Sequence, residues 1–262
     1  MSGPSRGWRT PSRPSRRSPR PSPRIAVSSP SSPGSAEAPG RAAEAWLVIP
    51  AGGRGLRMGG GVPKQFRDWR GRPLLRATVE AFLAPGMPRL AGIALAVPAD
   101  RVPEVQAWDF GVPGFVVVGG PTRQSSVAAA LAALPEGPDL PLLIHDGVRP
   151  FPPLEPIREA LRSLEAWDGA VLGEPSTDTL KRVDDQGRIL ATEPREAIFR
   201  AQTPQVARLS VWRRAFAWAA SRGFEGTDDA SLLEAMGLRV RLVPSPGTNL
   251  KITRPEDWTP GP

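Results

Sequence analysis

Short apolar runs recur along the chain and are separated by polar segments. Five of these runs are three to five residues long: Trp46–Ile49, Ile93–Val97, Phe115–Val118, Leu142–Ile144 and Ala170–Leu172. Runs of this length suit a buried strand and are too short for an ordinary helix. The pattern therefore predicts five buried strands.

Apolar residues at helical spacing separate the predicted strands. The spacing predicts helices over residues 74–83, with Pro73 as the first helical residue, over 123–134 and over 154–167. Asp100 stands where it would cap a short helix that reaches Trp108. Strands that alternate with helices form parallel sheets covered on both faces. We therefore predict an α/β fold with a mostly parallel sheet.

The alternation breaks after residue 173. Two strand-like runs, 177–183 and 188–192, flank the turn sequence Asp184-Asp185-Gln186-Gly187 and predict a β-hairpin. An isolated hairpin is marginally stable, so we expect this arm, about residues 175–197, to pack on a second copy of the chain. The remaining predicted elements are a helix over 210–221, a short helix capped by Thr227 or Asp228, and a strand over 238–243.

The composition excludes several kinds of site. The 262 residues contain no cysteine and a single histidine, His145. Disulfides, thiolate catalysis and a multi-histidine zinc site within one chain are therefore excluded. No apolar run approaches the length of about 18 residues that a membrane span requires. We expect a cytoplasmic protein that makes no membrane contact.

The positive charge is concentrated near the start of the chain. The net charge is +8, of which residues 1–40 carry +6 through seven arginines and the single acid Glu37. Residues 1–43, rich in Ser, Pro and Arg, are predicted to be a disordered tail, and residues 44–259 a single domain. The tail has three interpretations: a mis-assigned start, a spacer, or an arm that touches nucleic acid or anionic lipid. The nearly neutral domain disfavours nucleic-acid binding.

A glycine-rich segment follows the first predicted strand directly. It contains Gly52, Gly53 and Gly55, and the cations Arg57 and Lys64 lie within or just beyond it. Glycines after a strand allow backbone N–H groups to converge on phosphate. The segment lacks the Gly-Lys-Ser/Thr of a Walker loop, and Met58 occupies the third position of a dinucleotide fingerprint. We therefore predict a nucleoside triphosphate site.

Polar residues follow two other predicted strands. Gly120 and Ser126 come after the third strand, and Asp146 and Arg149 after the fourth. Ligands of parallel sheets bind beyond the carboxyl ends of the strands, so these residues are expected at one edge with the glycine segment. Asp146 is a candidate Mg²⁺ ligand or a turn-capping aspartate. Arg149 would pair with Asp146 or reach phosphate, and His145 is interpreted as structural.

Arg57 and Lys64 are the predicted catalytic residues. Attack of a phosphate oxygen on the α-phosphorus of a nucleotide builds negative charge on phosphorus and on the departing pyrophosphate. Cations held around that centre stabilise the transition state more than the ground state. Further polar residues in the second half are typical of a pocket for a small hydroxylated phosphate. They are Thr179, Arg195, Thr203, Thr227 and Lys251.

Eight motifs occur in order between Trp46 and Trp258: IPAGGRGLRM, PKQF, GGPTRQSSV, HDGVRPF, STDTLKR, FRAQTPQ, TDDAS and NLKITRPEDW. They resemble the methylerythritol phosphate cytidylyltransferases, a family of nucleotidyltransferases that activate sugar and polyol phosphates. The resemblance implies a Rossmann-like fold of the nucleotide-diphospho-sugar transferase type. It also implies CTP and 2-C-methyl-D-erythritol 4-phosphate as substrates, and a homodimer joined by the hairpin arm.

The resemblance implies a role for each matching residue. Arg57 and Lys64 match the transition-state cations, and Asp146 matches the carboxylate that holds Mg²⁺. The residues that match the CTP cradle are Ala51, Gly52, Gly53, Gly120 and Ser126. The residues that match the methylerythritol phosphate pocket are Thr179, Arg195, Thr203, Thr227 and Lys251, of which Thr179 and Arg195 would serve the partner's site.

Three alternative functions are compatible with parts of the sequence. A ribitol-5-phosphate cytidylyltransferase shares nearly all of these motifs. A non-catalytic protein that binds nucleic acid through the arginine-rich tail is opposed by the intact Arg57, Lys64 and Asp146. A dinucleotide oxidoreductase is opposed by the missing third glycine.

Overall fold

A computed structural model describes residues 44–53, 61–253 and 255–258. Within these ranges the strands, in chain order, are β1 Ala45–Pro50, β2 Asp68–Trp69, β3 Arg72–Pro73, β4 Leu90–Val97, β5 Gly114–Val118, β6 Pro141–Ile144, β7 Gly169–Pro175, β8 Lys181–Val183, β9 Ile189–Thr192, β10 Phe199–Arg208 and β11 Val240–Pro244. The helices are α1 Leu74–Ala81, α2 Val102–Gln106, α3 Arg123–Ala133, α4 Leu154–Ser163, α5 Leu209–Arg222 and α6 Ala230–Ala235. The predictions for the tail 1–43, for Gly55 and for Arg57 lie outside the described residues.

Seven strands form the central sheet, in the order β11-β7-β10-β6-β1-β4-β5. Neighbouring strands are parallel except at β10, which runs antiparallel to both β6 and β7. The prediction of a mostly parallel sheet is confirmed. The carboxyl ends of the six parallel strands lie at one edge of the sheet, together with the amino end of β10. We call this edge the rim.

The strand β10 occupies residues 199–206, for which no element is predicted from the sequence, and continues to Arg208. This segment mixes Arg200, Gln202 and Gln205 with Pro204, so its apolar pattern does not indicate a buried strand. Its residues 202–207 are nevertheless buried, because β6 and β7 pair with it on either side. Strand pairing here outweighs the local pattern.

Helices cover both faces of the sheet because apolar side chains alternate along β1. Leu47 and Ile49 belong to the cluster that packs against α1, α2 and α4. Trp46 and Val48 belong to the cluster that packs against α3, α5 and α6. Burial on both faces accounts for the unbroken apolar run of β1.

Three helix predictions need correction. Pro73 precedes α1 and pairs with Asp68 in a small hairpin, so its backbone is extended and not helical. Asp100 lies inside a short 3₁₀ turn, Ala99–Arg101, and caps no helix with its side chain. The helix α4 ends at Ser163, short of the predicted Trp167. The N–H groups of residues 164–166 bond to carbonyls three residues back and not four, so the chain tightens into a turn before it enters β7.

The predicted hairpin is present as the separate two-stranded sheet of β8 and β9. Asp184 fixes its turn by accepting the N–H groups of Gln186 and Arg188, at 3.1 and 2.8 Å. Val183, Ile189 and Leu190 are exposed on it. Among the described residues, no helix has the length and apolar character that a bilayer crossing requires.

Candidate active site

A cavity of about 430 Å³ lies at the rim, beyond the carboxyl ends of β1, β5 and β6. We call it the glycine-loop cavity. The predicted site residues that line it are Ala51, Gly52, Gly53, Lys64, Gly120, Ser126, Asp146 and Lys251. Residues separated by up to two hundred positions in the sequence thus meet at the edge where a parallel sheet binds its ligands.

Two glycines allow the loops after β1 and β5 to touch through their backbones. A Cβ added to Gly119 would lie 2.8 Å from the Cα of Gly52, and one added to Gly52 would lie 3.1 Å from the Cα of Gly119. A Cβ at Gly119 would force a shift of the two loops, and one at Gly52 would require its neighbours to move by a few tenths of an ångström. The close approach explains why residues without a side chain suit these two positions, Gly119 above all.

Gln65 holds the start of the glycine segment in place. Its side-chain Nε2 donates to the carbonyl oxygens of Ala51 and Gly53, both at 2.7 Å. Gln65 is buried next to Phe66 in the 3₁₀ turn Lys64–Phe66. In the sequence Gln65 stands out only as part of the motif PKQF, and its role as an anchor emerges from the tertiary structure.

Lys64 reaches the cavity from the same 3₁₀ turn. Its Nζ donates to the carbonyl oxygen of Ile252 at 3.3 Å. This bond connects the turn after the glycine segment to the loop after β11. The predicted catalytic cation is therefore at the site, while its predicted companion Arg57 belongs to residues that the structure does not describe.

The amino end of α3 forms another wall of the cavity. Thr122 caps the helix by accepting the Ser125 N–H at 3.0 Å, and the Thr122 N–H donates in return to Ser125 Oγ at 2.9 Å. Ser126 Oγ donates to the Thr122 carbonyl at 2.9 Å. Its hydroxyl proton thus stabilises the loop, while the oxygen still lines the cavity. A helix amino terminus at this place favours an anionic ligand.

Asp146 is buried and surrounded by three cations. Its Oδ1 lies 3.2 Å from Arg123 Nε, and its Oδ2 lies 2.8 Å from Lys251 Nζ and 3.5 Å from Arg149 Nε. Burial alone would raise the pKa of this carboxyl, but the three cations outweigh burial and hold the pKa well below its usual range. Asp146 is therefore ionised, and the positive charge around it exceeds its own charge.

His145 has the structural role that the sequence analysis gives it. It is fully buried, and its Nε2 lies 3.0 Å from the Arg149 carbonyl, which only accepts. The proton therefore sits on Nε2, and Thr203 donates its hydroxyl proton to Nδ1 at 3.1 Å. Thr203 Oγ1 in turn accepts the Asp146 N–H at 3.0 Å. Burial lowers the pKa of His145 to about 4, so the ring is neutral and orients Asp146 through Thr203.

Arg123 and Asp229 are site residues that the sequence analysis does not predict. Arg123 Nη1 forms an ion pair with Asp229 Oδ2 at 2.6 Å while its Nε faces Asp146. Burial raises the pKa of Asp229 to about 6 against the opposing charge of Arg123. The motif TDDAS carries Asp229, but a local pattern reveals no partner more than a hundred residues away.

A second cavity of about 470 Å³ adjoins the first. We call it the side pocket. Its polar lining includes Arg149, Glu174, Arg200, Gln202, Asn249 and Lys251. Lys251 and Thr253 line both cavities. Lys251 therefore stands at the boundary between them, and Arg149, predicted to bind nucleotide, lines the side pocket instead.

The remaining predicted site residues lie apart from both cavities. Thr179 and Arg195 are exposed on the hairpin arm, and Thr227 is exposed before α6. None of the three lines the glycine-loop cavity or the side pocket. Thr203 is buried beneath Asp146 and reaches the site only through its hydrogen bonds.

The sheet is covered on both faces, and its rim carries a glycine segment, a helix amino terminus and an excess of cations. This arrangement suits a phosphate-bearing ligand, as the site of a nucleotidyltransferase must. The family model for 2-C-methyl-D-erythritol 4-phosphate cytidylyltransferase (IspD) matches residues 45–260. The chain belongs to this family, and its activity is that of a nucleotidyltransferase of isoprenoid synthesis. The prediction made from the motifs is confirmed.

Individual relatives agree with the family match. A protein of Acidobacterium capsulatum named 2-C-methyl-D-erythritol 4-phosphate cytidylyltransferase is 40% identical over 226 residues, which cover 81% of this chain and 93% of that protein. A protein of the same name from Geotalea uraniireducens is 41% identical over 80% of this chain and 91% of its own length.

Solved structures confirm the fold. The crystal structure of 2-C-methyl-D-erythritol 4-phosphate cytidylyltransferase from Thermus thermophilus is 34% identical, with a TM-score of 0.64 over 81% of this chain and 94% of that chain. The 4-diphosphocytidyl-2C-methyl-D-erythritol synthase of Anaerococcus prevotii is 26% identical, with a TM-score of 0.71 over 83% of this chain and 95% of that chain. The Rossmann-like fold implied by the motifs is confirmed.

Proposed function

We propose that CTP occupies the glycine-loop cavity and that 2-C-methyl-D-erythritol 4-phosphate occupies the side pocket. The observation that carries this assignment is that the two cavities adjoin and share Lys251. A transfer between two phosphates needs two sites whose anionic ends meet. Lys251 stands at that meeting point, 2.8 Å from Asp146.

In the proposed reaction, a phosphate oxygen of the polyol phosphate attacks the α-phosphorus of CTP. A new P–O bond forms as the bond between the α-phosphorus and its bridging oxygen to the β-phosphorus breaks. Pyrophosphate leaves with that electron pair, and the product is the cytidine diphosphate ester of the polyol. No covalent intermediate with the protein is required.

Lys64 is proposed to stabilise the charge that develops on the α-phosphate and on pyrophosphate. Arg57 is proposed as its companion from the glycine segment. Backbone N–H groups of Gly52, Gly53 and Gly120 would bind phosphate or ribose oxygens. A preorganised cation in a cavity that excludes water stabilises a transition state more strongly than one exposed to solvent.

Mg²⁺ fits the donor set at Asp146. This is the one carboxylate among the described residues that line the glycine-loop cavity, and the described ranges hold no cluster of three or more protein groups that would cage a metal. Mg²⁺ in nucleotide sites takes one or two carboxylates and completes its shell with phosphate and water. When bound, the ion would neutralise triphosphate charge. Asp146, kept ionised by its neighbours, would hold it.

The hairpin arm is proposed to join two copies of the chain. Val183, Ile189 and Leu190 expose apolar surface on β8 and β9, and a partner would bury it. Arg195 lies at the base of this arm and faces neither cavity of its own chain. Arg195 and Thr179 would then complete the partner's side pocket. The cytoplasmic location expected from the sequence remains a prediction.

The test is pyrophosphate release by the purified full chain with CTP and each candidate acceptor. We expect release with 2-C-methyl-D-erythritol 4-phosphate in the presence of Mg²⁺, and little with ribitol 5-phosphate. Release only with ribitol 5-phosphate would establish the sister activity instead. UTP in place of CTP checks the choice of base.

A further inference from the structure

The loop between β11 and the end of the described chain brings Lys251 to both cavities. Two backbone hydrogen bonds fix the ends of this loop. The Ser245 N–H donates to the Gly173 carbonyl at 2.8 Å, and the Ile252 N–H donates to the Val148 carbonyl at 2.9 Å. Between these points Thr248 and Leu250 are exposed, and Asn249 is completely buried.

Asn249 connects this loop to two other elements. Its Nδ2 donates to the Thr203 carbonyl at 2.8 Å and to Gln202 Oε1 at 3.0 Å, both in β10. Its own carbonyl accepts from Arg149 Nη1 at 2.7 Å. One buried residue therefore ties together the loop after β11, the amino end of β10 and the loop after β6.

The side chain of Asn249 is held by its amide nitrogen alone. Its Oδ1 is buried and has no hydrogen-bond partner. A buried amide oxygen without a partner costs free energy. Asparagine at this position therefore lowers the local stability. This indicates that the two hydrogen bonds its amide donates have a role that an apolar side chain could not fill.

The charged residues near Asn249 indicate what that role is. Lys251 and Arg149 both approach Asp146 Oδ2, at 2.8 and 3.5 Å. Two cations that share one carboxylate oxygen repel each other, so something must hold them there. Lys251 has a long flexible side chain, and 44% of it is exposed, so its own packing does not fix its position. Its position therefore depends on the backbone that carries it, which the Asn249 side chain ties to β10 on one side and the Ile252 N–H ties to the Val148 carbonyl on the other. The Asn249 carbonyl also holds Arg149 Nη1, which leaves Arg149 Nε for Asp146.

We propose that Asn249 is a positioning residue that places Lys251 at the boundary of the two cavities and Arg149 in the side pocket beside it, where the phosphate of the acceptor binds. The inference rests on the proposed function. Asn249 lines the side pocket, but it is completely buried and both N–H donors of its side chain are used on β10, so it acts through the two cations and not on the substrate. Its loss should therefore affect the acceptor more than CTP.

The experiment compares Asn249→Ala with Ser245→Ala in the full chain. Ser245 is a matched control because it is buried in the same loop and its Oγ makes no hydrogen bond. We expect Asn249→Ala to lower kcat/KM for 2-C-methyl-D-erythritol 4-phosphate by about 10- to 100-fold, since a misplacement of about 1 Å costs up to about 10²-fold. The KM for CTP should change by less than about threefold, and Ser245→Ala should resemble the wild type.

A double-mutant cycle separates positioning from general stability. If Asn249 acts through Lys251, Asn249→Ala should cost far less in a Lys251→Ala background than in the wild type. Asn249→Asp is the second single variant, because it keeps the size and places a carboxylate oxygen against the Thr203 carbonyl. It should show the same selective loss for the acceptor.

Three results would overturn the inference: unchanged kcat/KM in Asn249→Ala, equal losses for CTP and acceptor, or full additivity with Lys251→Ala. Failure of both Asn249 variants to fold where Ser245→Ala folds would also overturn it, because Asn249 would then be a stability residue. The wild type serves as the reference for the reaction itself. If the wild type makes no product, the proposed function fails; if it does and Asn249→Ala matches it, only the positioning role fails.

Discussion

Lys251 Nζ lies 2.8 Å from Asp146 Oδ2, which joins the loop after β11 to the loop after β6. Arg123 and Arg149 approach the same carboxylate. The resulting excess of positive charge around one ionised acid suits a pocket that receives a triphosphate and a second phosphate. The same arrangement makes the stability of the protein sensitive to loss of the acid.

Asp146→Asn should destabilise the protein by about 1–3 kcal/mol at neutral pH, because it leaves three neighbouring cations without their common partner. This destabilisation is smaller than the loss expected on breaking a fully buried ion pair, because Lys251 and Arg123 are partly solvated. The folded-state pKa of Asp146 is depressed, so the stability that its charge contributes is complete above the unfolded pKa of about 3.9 and is lost as the pH falls below that value.

Urea unfolding of wild type and Asp146→Asn at several pH values measures this contribution. A difference from wild type that grows toward acid pH would contradict it, and Glu165→Gln, exposed beyond α4, is the control.

Lys64→Met should lower kcat by about 10²–10³-fold, with the fold intact, because it removes a cation aimed at the developing charge. Lys64 lines the glycine-loop cavity and is half-buried. Steady-state kinetics with both substrates, together with a melting curve, test this. The control is Arg162→Met, an exposed cation in the last turn of α4. Full activity of Lys64→Met would remove the basis of the proposed mechanism.

Gly119→Ala should damage the nucleotide site, because its Cβ would lie 2.8 Å from the Gly52 Cα. We expect a loss of about 1–3 kcal/mol in stability and a raised KM for CTP as the two loops move apart. Gly114→Ala is the matched control in the same strand region, since a Cβ there meets nothing within 4 Å. Equal behaviour of the two variants would show that the loops do not depend on this contact.

Asp229→Asn should change how stability depends on pH. Burial raises the pKa of Asp229 to about 6, above the unfolded value of about 3.9. Between these values the folded state binds more protons than the unfolded state, so the free energy of unfolding falls as the pH rises from about 4 to about 6. In Asp229→Asn the free energy of unfolding should no longer fall over this pH range. Parallel pH profiles for wild type and variant would contradict the raised pKa.

Mixing two inactive variants tests whether the arm serves the partner's site. In a mixed dimer of Lys64→Met and Arg195→Ala, one site combines an intact Lys64 with an intact arm only if the arm reaches across. Random exchange should then restore about a quarter of wild-type activity, because half the dimers are mixed and half their sites are intact. No recovery, after sedimentation shows that mixed dimers form, would place Arg195 in its own chain's site.

Much of the architecture follows from the sequence because it depends on local patterns. Apolar runs of three to five residues predict β1, β4, β5, β6 and β7, and helical spacing predicts α1, α3 and α4. The Gly-rich segment and Asp146 were expected at one edge because each follows a buried strand. The helix ends were less accurate: Pro73 and the residues after Ser163 adopt conformations set by their neighbours in the folded chain.

The tertiary structure decided which distant residues meet. The strand β10 has a polar sequence, and only its position between β6 and β7 buries it and brings Thr203 under Asp146. The pairing of Arg123 with Asp229 and the anchoring of the Lys251 loop by Asn249 likewise join segments far apart in the chain. Periodicity and motif spacing report what a residue does with its near neighbours. Contacts between remote loops depend on strand order, and strand order is fixed only when the whole sheet assembles.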